Sequence, residues 1–243
     1  MVKQGNRVSL CMKKVYEHKP AFTLAEVLIT LGVIGVVAAM TIPTLITNYE
    51  KKVTITKLKK AYSTINQAMK LSVSENGDYS SWPKPNEVGG EEYYKQYWAP
   101  YFKNAQRCTS YTNSVCDYKK WMDGGASSTF YLLNGSSSGV DAVYSNRYTL
   151  LLPNETLVIY FYDNAESTLL GGVYIDTNGA KKPNTFGKDV FLFMRENNGA
   201  IIPRCNSSTT ASIKSDCSKT GSGKCCAKKI IMDNWEFKSD YPW

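Results

Sequence analysis

The distribution of apolar positions divides the chain. Residues 22–45, FTLAEVLITLGVIGVVAAMTIPTL, are apolar almost without interruption. As a helix this stretch of roughly 24 residues rises about 36 Å, enough for the hydrocarbon core of a bilayer at about 30 Å. Beyond it the pattern becomes periodic. Leu58, Tyr62, Ile65 and Met69 recur at spacings of four, three and four, with Ala61 and Ala68 on the same face. That spacing predicts an amphipathic helix over 46–75, ending at SENGD, where Asn76 and Gly77 form a stop signal. Its apolar face is expected to carry a sheet. Lys51, Lys52, Lys57, Lys59 and Lys60 lie mostly off that face, as a solvated surface or a contact for acidic lipid heads.

A third pattern begins near residue 147. RYTLLL (147–152), TLVIYFYD (156–163), GGVYID (171–176) and KDVFLFMRE (188–196) are β-branched and aromatic runs separated by Pro-Asn, Asp-Asn and Asn-Gly. They predict consecutive antiparallel strands. Between helix and strands, 76–147 is rich in Gly, Ser, Tyr and Trp with little periodicity, and NGSSSG at 134–139 reads as a loop or turn. A helix followed by consecutive strands is an α+β domain with its sheet packed on the helix.

Composition agrees with a packed domain. The chain has 243 residues, 43% of them hydrophobic and 21% charged, with 17 tyrosines and 5 tryptophans, which argues against disorder over most of its length.

The charges ahead of the apolar run change the picture more. Lys3, Arg7, Lys13, Lys14 and Lys19 face a single acid, Glu17, the pattern of a positive n-region in an export signal. A cleaved signal with its small-residue site near Val37-Ala38-Ala39 would place Glu26 inside its apolar core, where charge is unfavourable. A plain signal anchor has no use for the acid either, since burying it costs on the order of 2.5 to 3.5 kcal/mol. A cut between Ala21 and Phe22 gives Glu26 a partner. The new α-amine is a cation at the membrane boundary, and the amine of a neighbouring copy can meet the acid.

The stretch AFTLAEVLITLGVIGVVAAMTIP resembles the amino-terminal segment of type IV prepilins and type II secretion pseudopilins. In that family the cut precedes an aromatic residue that becomes the N-methylated first residue, and an acid stands fifth. Phe22 and Glu26 match both. Gly35 and Pro43 fall at the fourteenth and twenty-second mature positions, where the family commonly has glycine and proline. Gly lowers helix propensity and Pro removes a donor, so 35–43 is a weak segment. The resemblance implies local melting there on filament packing, whereas the residues alone equally permit a kinked transmembrane helix. Ala21 departs from the Gly usual before the cut. The resemblance covers about 30 residues and implies a leader at 1–21, a transmembrane and filament-core helix at 22–45, its amphipathic continuation at 46–75 and an extracytoplasmic pilin-like domain at 76–243.

Lysines flank the apolar run on both sides, so charge does not orient it. Cysteines do. Cys11 would leave with the leader, and Cys108, Cys116, Cys205, Cys217, Cys225 and Cys226 remain, an even set that predicts disulfides outside the cytoplasm. Zinc would want closer Cys or His spacing, and the lone histidine, His18, is in the leader. Cys108 and Cys116 form the natural local pair. The adjacent Cys225 and Cys226 would be strained if bonded to each other, so Cys205 and Cys217 each take one of them, in an order the sequence leaves open.

Two further stretches invite chemistry. DTNGAKKPNTFGKD, 176–189, opens like a calcium loop with Asp176, Asn178 and Gly179, and some pseudopilins bind calcium in their carboxy-terminal region. The EF-hand pattern fails at its fifth position, Ala180, and its twelfth, Gly187. A turn-rich connection is the expectation, with Asp176, Asn178 and Asp189 as calcium candidates and no other cofactor. The end of the chain, CCAKKIIMDNWEFKSDYPW, mixes apolar and charged positions and predicts a last strand or edge segment tied by its cysteines.

Without histidine after residue 18, a Ser-His-Asp or Cys-His system cannot form, and G-x-S-x-G and P-loop patterns are absent. Acids scattered through turns offer no carboxylate pair for glycoside hydrolysis. Removing the leader, five basic residues against one acid, takes the net charge from +8 to +4, too weak a footprint for a nucleic-acid binder. The expectation is a structural subunit of a type IV pilus or secretion pseudopilus. Its implied partners are a prepilin peptidase, other subunits, the cytoplasmic membrane and an assembly platform with a separate ATPase. A membrane-anchored adhesin or DNA-uptake minor pilin is the alternative.

Overall fold

A computed structural model of the chain describes residues 22–108, 129–141, 147–161, 171–179, 181–196 and 198–243. The chain forms two compact units, Met1–Thr47 and Asn48–Trp243.

One helix, α1 (Leu24–Asn76), includes both the apolar run and the amphipathic stretch. Gly77 ends it at φ +82°, a left-handed conformation that glycine adopts without Cβ strain. In the second unit Leu58, Ala61, Ile65, Ala68 and Met69 are buried, as the periodicity predicts, with Thr54 and Ser72 extending the stripe. Tyr62, on its margin, is partly buried and stacks on Phe193 with ring centroids 5.0 Å apart.

Short helices follow: α2 (Pro85–Val88) and α3 (Gly90–Tyr97), between 3-10 turns at Tyr79–Ser81 and Ala99–Tyr101. The weak periodicity of 76–147 predicts no helix here. The signal was present in Tyr93, Tyr94, Tyr97 and Trp98, two i,i+4 pairs whose side chains are all buried. Ser72 Oγ donates to the Tyr97 carbonyl at 2.8 Å, tying this region to α1.

The strands are β1 (Gln106–Cys108), β2 (Thr129–Tyr131), β3 (Ser137–Asp141), β4 (Arg147–Leu151), β5 (Leu157–Phe161), β6 (Gly172–Asp176), β7 (Val190–Arg195) and β8 (Ile201–Pro203). Six form one antiparallel sheet in the order β1-β4-β5-β6-β7-β8, and β2 and β3 form a two-stranded sheet. NGSSSG is a turn only at its start, because β3 begins at Ser137.

Both faces of the central strands are covered, which is why LVIYF and VFLFM read as continuous apolar runs rather than alternating ones. Val158, Tyr160, Val173, Ile175, Phe191 and Phe193 pack with the α1 stripe. Leu157, Ile159, Tyr174, Val190 and Leu192 pack with Phe130 and Phe186 on the opposite side. Arg195, 2% exposed, lies in the aromatic layer: its Nη1 donates to the Tyr93 hydroxyl at 2.9 Å and to that of Tyr160 at 3.2 Å. Its guanidinium lies 4.7 Å from the Tyr79 ring centre.

The carboxy end corrects the expected strand. It contains α4 (Thr210–Asp216) and α5 (Cys226–Met232). Cys226 and Ile230, four apart, are both fully buried on one side of α5, a helical period that the mixed charges obscured. Lys229, also buried, pairs with Asp233 and Asp240 at 2.9 Å each. Tyr241 Oη donates to the Gly187 carbonyl at 2.6 Å, and Lys51 Nζ donates to the Trp243 carbonyl at 3.0 Å.

Candidate functional site

Two places concentrate the chemistry that the sequence singled out. The first is the start of α1. Ala21 lies outside the described residues; Phe22 is 85% exposed. Thr23 and Glu26 form a reciprocal cap. The Thr23 N–H and its hydroxyl both donate to Glu26 Oε2 at 2.8 Å, and the Glu26 N–H donates back to Thr23 Oγ1 at 3.2 Å. This is the Thr-x-x-Glu capping box, which satisfies amides that a helix start otherwise leaves unpaired. TLAE itself carries the signal for this cap, a Thr three residues before a Glu, and it gives Glu26 a partner in its own first turn besides the amine expected from a neighbouring copy. Both donors use Oε2, and Oε1 makes no hydrogen bond among the described residues.

Beyond the cap the apolar side chains are exposed, among them Leu28, Ile29, Leu31, Ile34 and Leu45. The helix is long and apolar enough to cross a membrane. It runs through Gly35 and Pro43 without interruption. Space around Gly35 is open, with nothing within 4 Å of where a Cβ would stand. Pro43 has no N–H to donate, and the Thr41 and Thr47 hydroxyls turn back onto the carbonyls of Val37 and Pro43 at 2.9 and 3.0 Å.

The second place is the loop between β6 and β7. Asp176 is fully buried and Asp189 is 3% exposed. The Asn178 N–H donates to Asp176 Oδ1 at 3.2 Å. Asp189 accepts from the Asn184 N–H at 2.7 Å and the Thr185 N–H at 2.6 Å, which fixes that turn. Burial pushes both carboxyls up, Asp189 to about 6 and Asp176 well above the usual range, where the nearby Asp189 charge adds to the effect.

The β4 to β5 turn lies against this loop. Leu157 pairs with Asp176, and the Glu155 carbonyl oxygen is 3.2 Å from where a Cβ on Gly179 would stand. Five buried side-chain oxygens of these two segments have no hydrogen-bond partner: Asn154 Oδ1, Thr156 Oγ1, Asp176 Oδ2, Asn178 Oδ1 and Asn184 Oδ1. The three sequence candidates are thus brought together, Asn178 lying with its amide against Asp189. Asn154, Thr156 and Asn184 were missed because strand pairing, not local spacing, brings the first two to the loop. The oxygens are hard donors and suit the calcium that the sequence resemblance implies better than a soft metal. Among the described residues no group of three or more His, Cys, Asp or Glu gathers to hold a metal, at this loop or elsewhere.

Disulfides join Cys205 to Cys225 and Cys217 to Cys226, which settles the order left open by the sequence. Cys108 is also disulfide-bonded, and Cys116 lies outside the described residues.

The chain belongs to a family of unknown function (DUF6613), whose model matches residues 44–201. That match takes in the amphipathic part of α1, the sheet from β1 to β7 and both turns of the carboxylate site. No curated protein and no solved structure matches the chain.

Proposed function

We propose that the protein is a structural subunit of a type IV pilus or type II secretion-like pseudopilus, processed at Ala21-Phe22 and assembled through α1. The observation that carries this reading is the placement of Phe22 and Glu26 at the head of a helix whose apolar side chains are exposed over 22–46. A surface of that size and length needs lipid or other helices around it. On this reading it meets lipid first and neighbouring copies afterwards.

A prepilin peptidase hydrolyses the Ala21-Phe22 amide, and the freed Phe22 amine is methylated. That amine is a cation, and in the filament it meets Glu26 of an adjacent copy at the oxygen its own cap leaves available. Pairing offsets the cost of a carboxylate in lipid and fixes axial register. The disulfide-bonded domain is then outside the cytoplasm, and the role is structural rather than catalytic. An assembly platform with its own ATPase supplies the work of extraction.

The test compares Glu26→Gln with the unaltered chain by the ratio of subunit in sheared filaments to subunit in membranes. The proposal expects normal membrane insertion and a reduced ratio for the variant. Equal ratios would return the segment to a simple anchor.

A further inference from the structure

A cavity of about 550 Å³ opens at the β7–β8 hairpin, lined by Met194, Glu196, Asn198, Ile202, Arg204 and the turn at 205–208. Ladder register fixes its layout. Met194 pairs with Ile202, the Glu196 N–H donates to the Ala200 carbonyl at 2.9 Å, and the Arg204 N–H donates to the Leu192 carbonyl at 3.1 Å. Side chains alternate along paired segments, so Met194, Ile202, Glu196 and Arg204 share one face, the side of the sheet where Met194 packs beside Phe130 and Phe186. Arg204 stands opposite Leu192, four residues along the ladder from Glu196, which is about 13 Å at the rise of a strand. A half-buried apolar pair thus separates an acid from a guanidinium. Both charged side chains are exposed, and neither makes an ion pair among the described residues.

The wall on the Arg204 side is set in advance. The Ser208 N–H donates to the Cys205 carbonyl at 3.0 Å, Lys228 Nζ donates to Asn206 Oδ1 at 2.8 Å, and the Cys205–Cys225 disulfide ties the turn to the start of α5. Burial and then the Arg204 charge push the Lys224 ammonium down, against the pull of Asp216, so an anion arriving at Arg204 relieves a repulsion.

We propose that this cavity binds an extended peptide segment of about five residues with a cationic side chain at one end and a carboxylate at the other. In a strand-like peptide the first and fifth residues lie about 13 Å apart on one face, with the third between them. The cation meets Glu196, the carboxylate meets the Arg204 fork, and an apolar third residue covers Met194 and Ile202. Asn198, Ser207 and Ser208 in the walls offer hydrogen bonds to the peptide backbone. A neutral sugar would use those polar walls but leave both charges without a counterpart. A wall fixed before binding lowers the ordering cost, and two exposed ion pairs give a contact suited to transient docking. The inference does not rest on the filament reading and holds for any role of the domain.

The test uses the full chain in uncharged detergent micelles and measures binding of end-blocked, dye-labelled peptides by fluorescence anisotropy, with micelles alone as the blank. The peptide Lys-Ser-Val-Ser-Asp should bind roughly fivefold more tightly than Lys-Ser-Val-Ser-Lys or Asp-Ser-Val-Ser-Asp. The shortened Lys-Val-Asp, whose charges cannot reach both ends, should lose that advantage. Glu196→Lys should switch the preference to Asp-Ser-Val-Ser-Asp, and Arg204→Glu should switch it to Lys-Ser-Val-Ser-Lys. The double variant should regain the preference for Lys-Ser-Val-Ser-Asp, bound in the reverse direction. Both positions are exposed, so the switch reports on recognition rather than on folding. Equal affinity for the three longer peptides would overturn the proposal. So would full binding of the shortened peptide, or a preference that neither single variant moves.

Discussion

Thr23 and Glu26 satisfy each other at the first turn of α1, with the Thr23 N–H 2.8 Å from Glu26 Oε2 and the Glu26 N–H 3.2 Å from Thr23 Oγ1. The acid caps its own helix, and under the proposed assembly it has a second, separable job, offering charge to another chain. Gln at the same position completes a capping box as Glu does, so Glu26→Gln removes only the charge. Thr23→Ala does the reverse. Hydrogen exchange at the amides of residues 24–27 should be unchanged in Glu26→Gln and roughly fivefold faster in Thr23→Ala. Filament incorporation should fall in Glu26→Gln and hold in Thr23→Ala.

The second prediction concerns Arg195. Its guanidinium is buried among Tyr79, Tyr93 and Tyr160 and donates to two of their hydroxyls. Arg195→Ala leaves those hydroxyls buried without their donor and opens a void, and should destabilise the domain by about 2 to 4 kcal/mol. Arg195→Lys should recover part of the loss, since it keeps the charge without the planar fork. Denaturant midpoints of the three chains check both statements.

Gly187 carries a third. At φ +82° it stands where a Cβ would lie 2.6 Å from the Cys226 sulfur and 3.2 Å from Leu133 Cδ1. Gly187→Ala should cost about 2 to 4 kcal/mol through backbone strain and overpacking together. Thermal unfolding should show a clear drop in Tm, and an unchanged Tm would mean that α5 shifts freely there.

Much of this architecture is legible in the order of the residues. The helical stripe of Leu58, Ile65 and Met69 and the Asn76-Gly77 stop depend on local periodicity and turn chemistry, and both are found as expected. The four central strands fall within two residues of the runs that predict them. Elements whose identity depends on partners were hidden. The carboxy-terminal helix Cys226–Met232 is buried against the domain through Cys226 and Ile230, while Lys229 and its acids make the same segment look like surface. The carboxylate site was half legible: Asp176 and Asn178 announce it locally, while Asn154 joins only because Leu157 pairs with Asp176.

A fourth prediction follows from the cysteines. Cys205 with Cys225 and Cys217 with Cys226 anchor the two ends of the carboxy-terminal region, and each is expected to stabilise by about 2 to 4 kcal/mol. Thiol titration of the denatured, unreduced protein should find no free thiol at these four positions, and peptide mapping should recover those two links. Replacing Cys205 and Cys225 together by Ser should lower the Tm somewhat more than replacing Cys217 and Cys226, because the first loop is longer, 20 residues against 9.

The account stands most directly on what happens at Ala21-Phe22, since Glu26 is an assembly contact only if a new amine forms four residues before it. Intact-mass and amino-terminal peptide spectrometry of the membrane-extracted protein decides this. A chain beginning at N-methylated Phe22 is the predicted result, with Ala21→Gly processed at least as well and Ala21→Leu blocked at a small subsite. An amino terminus that retains the basic leader, or a chain cut within the apolar run to begin at Met40, would contradict it.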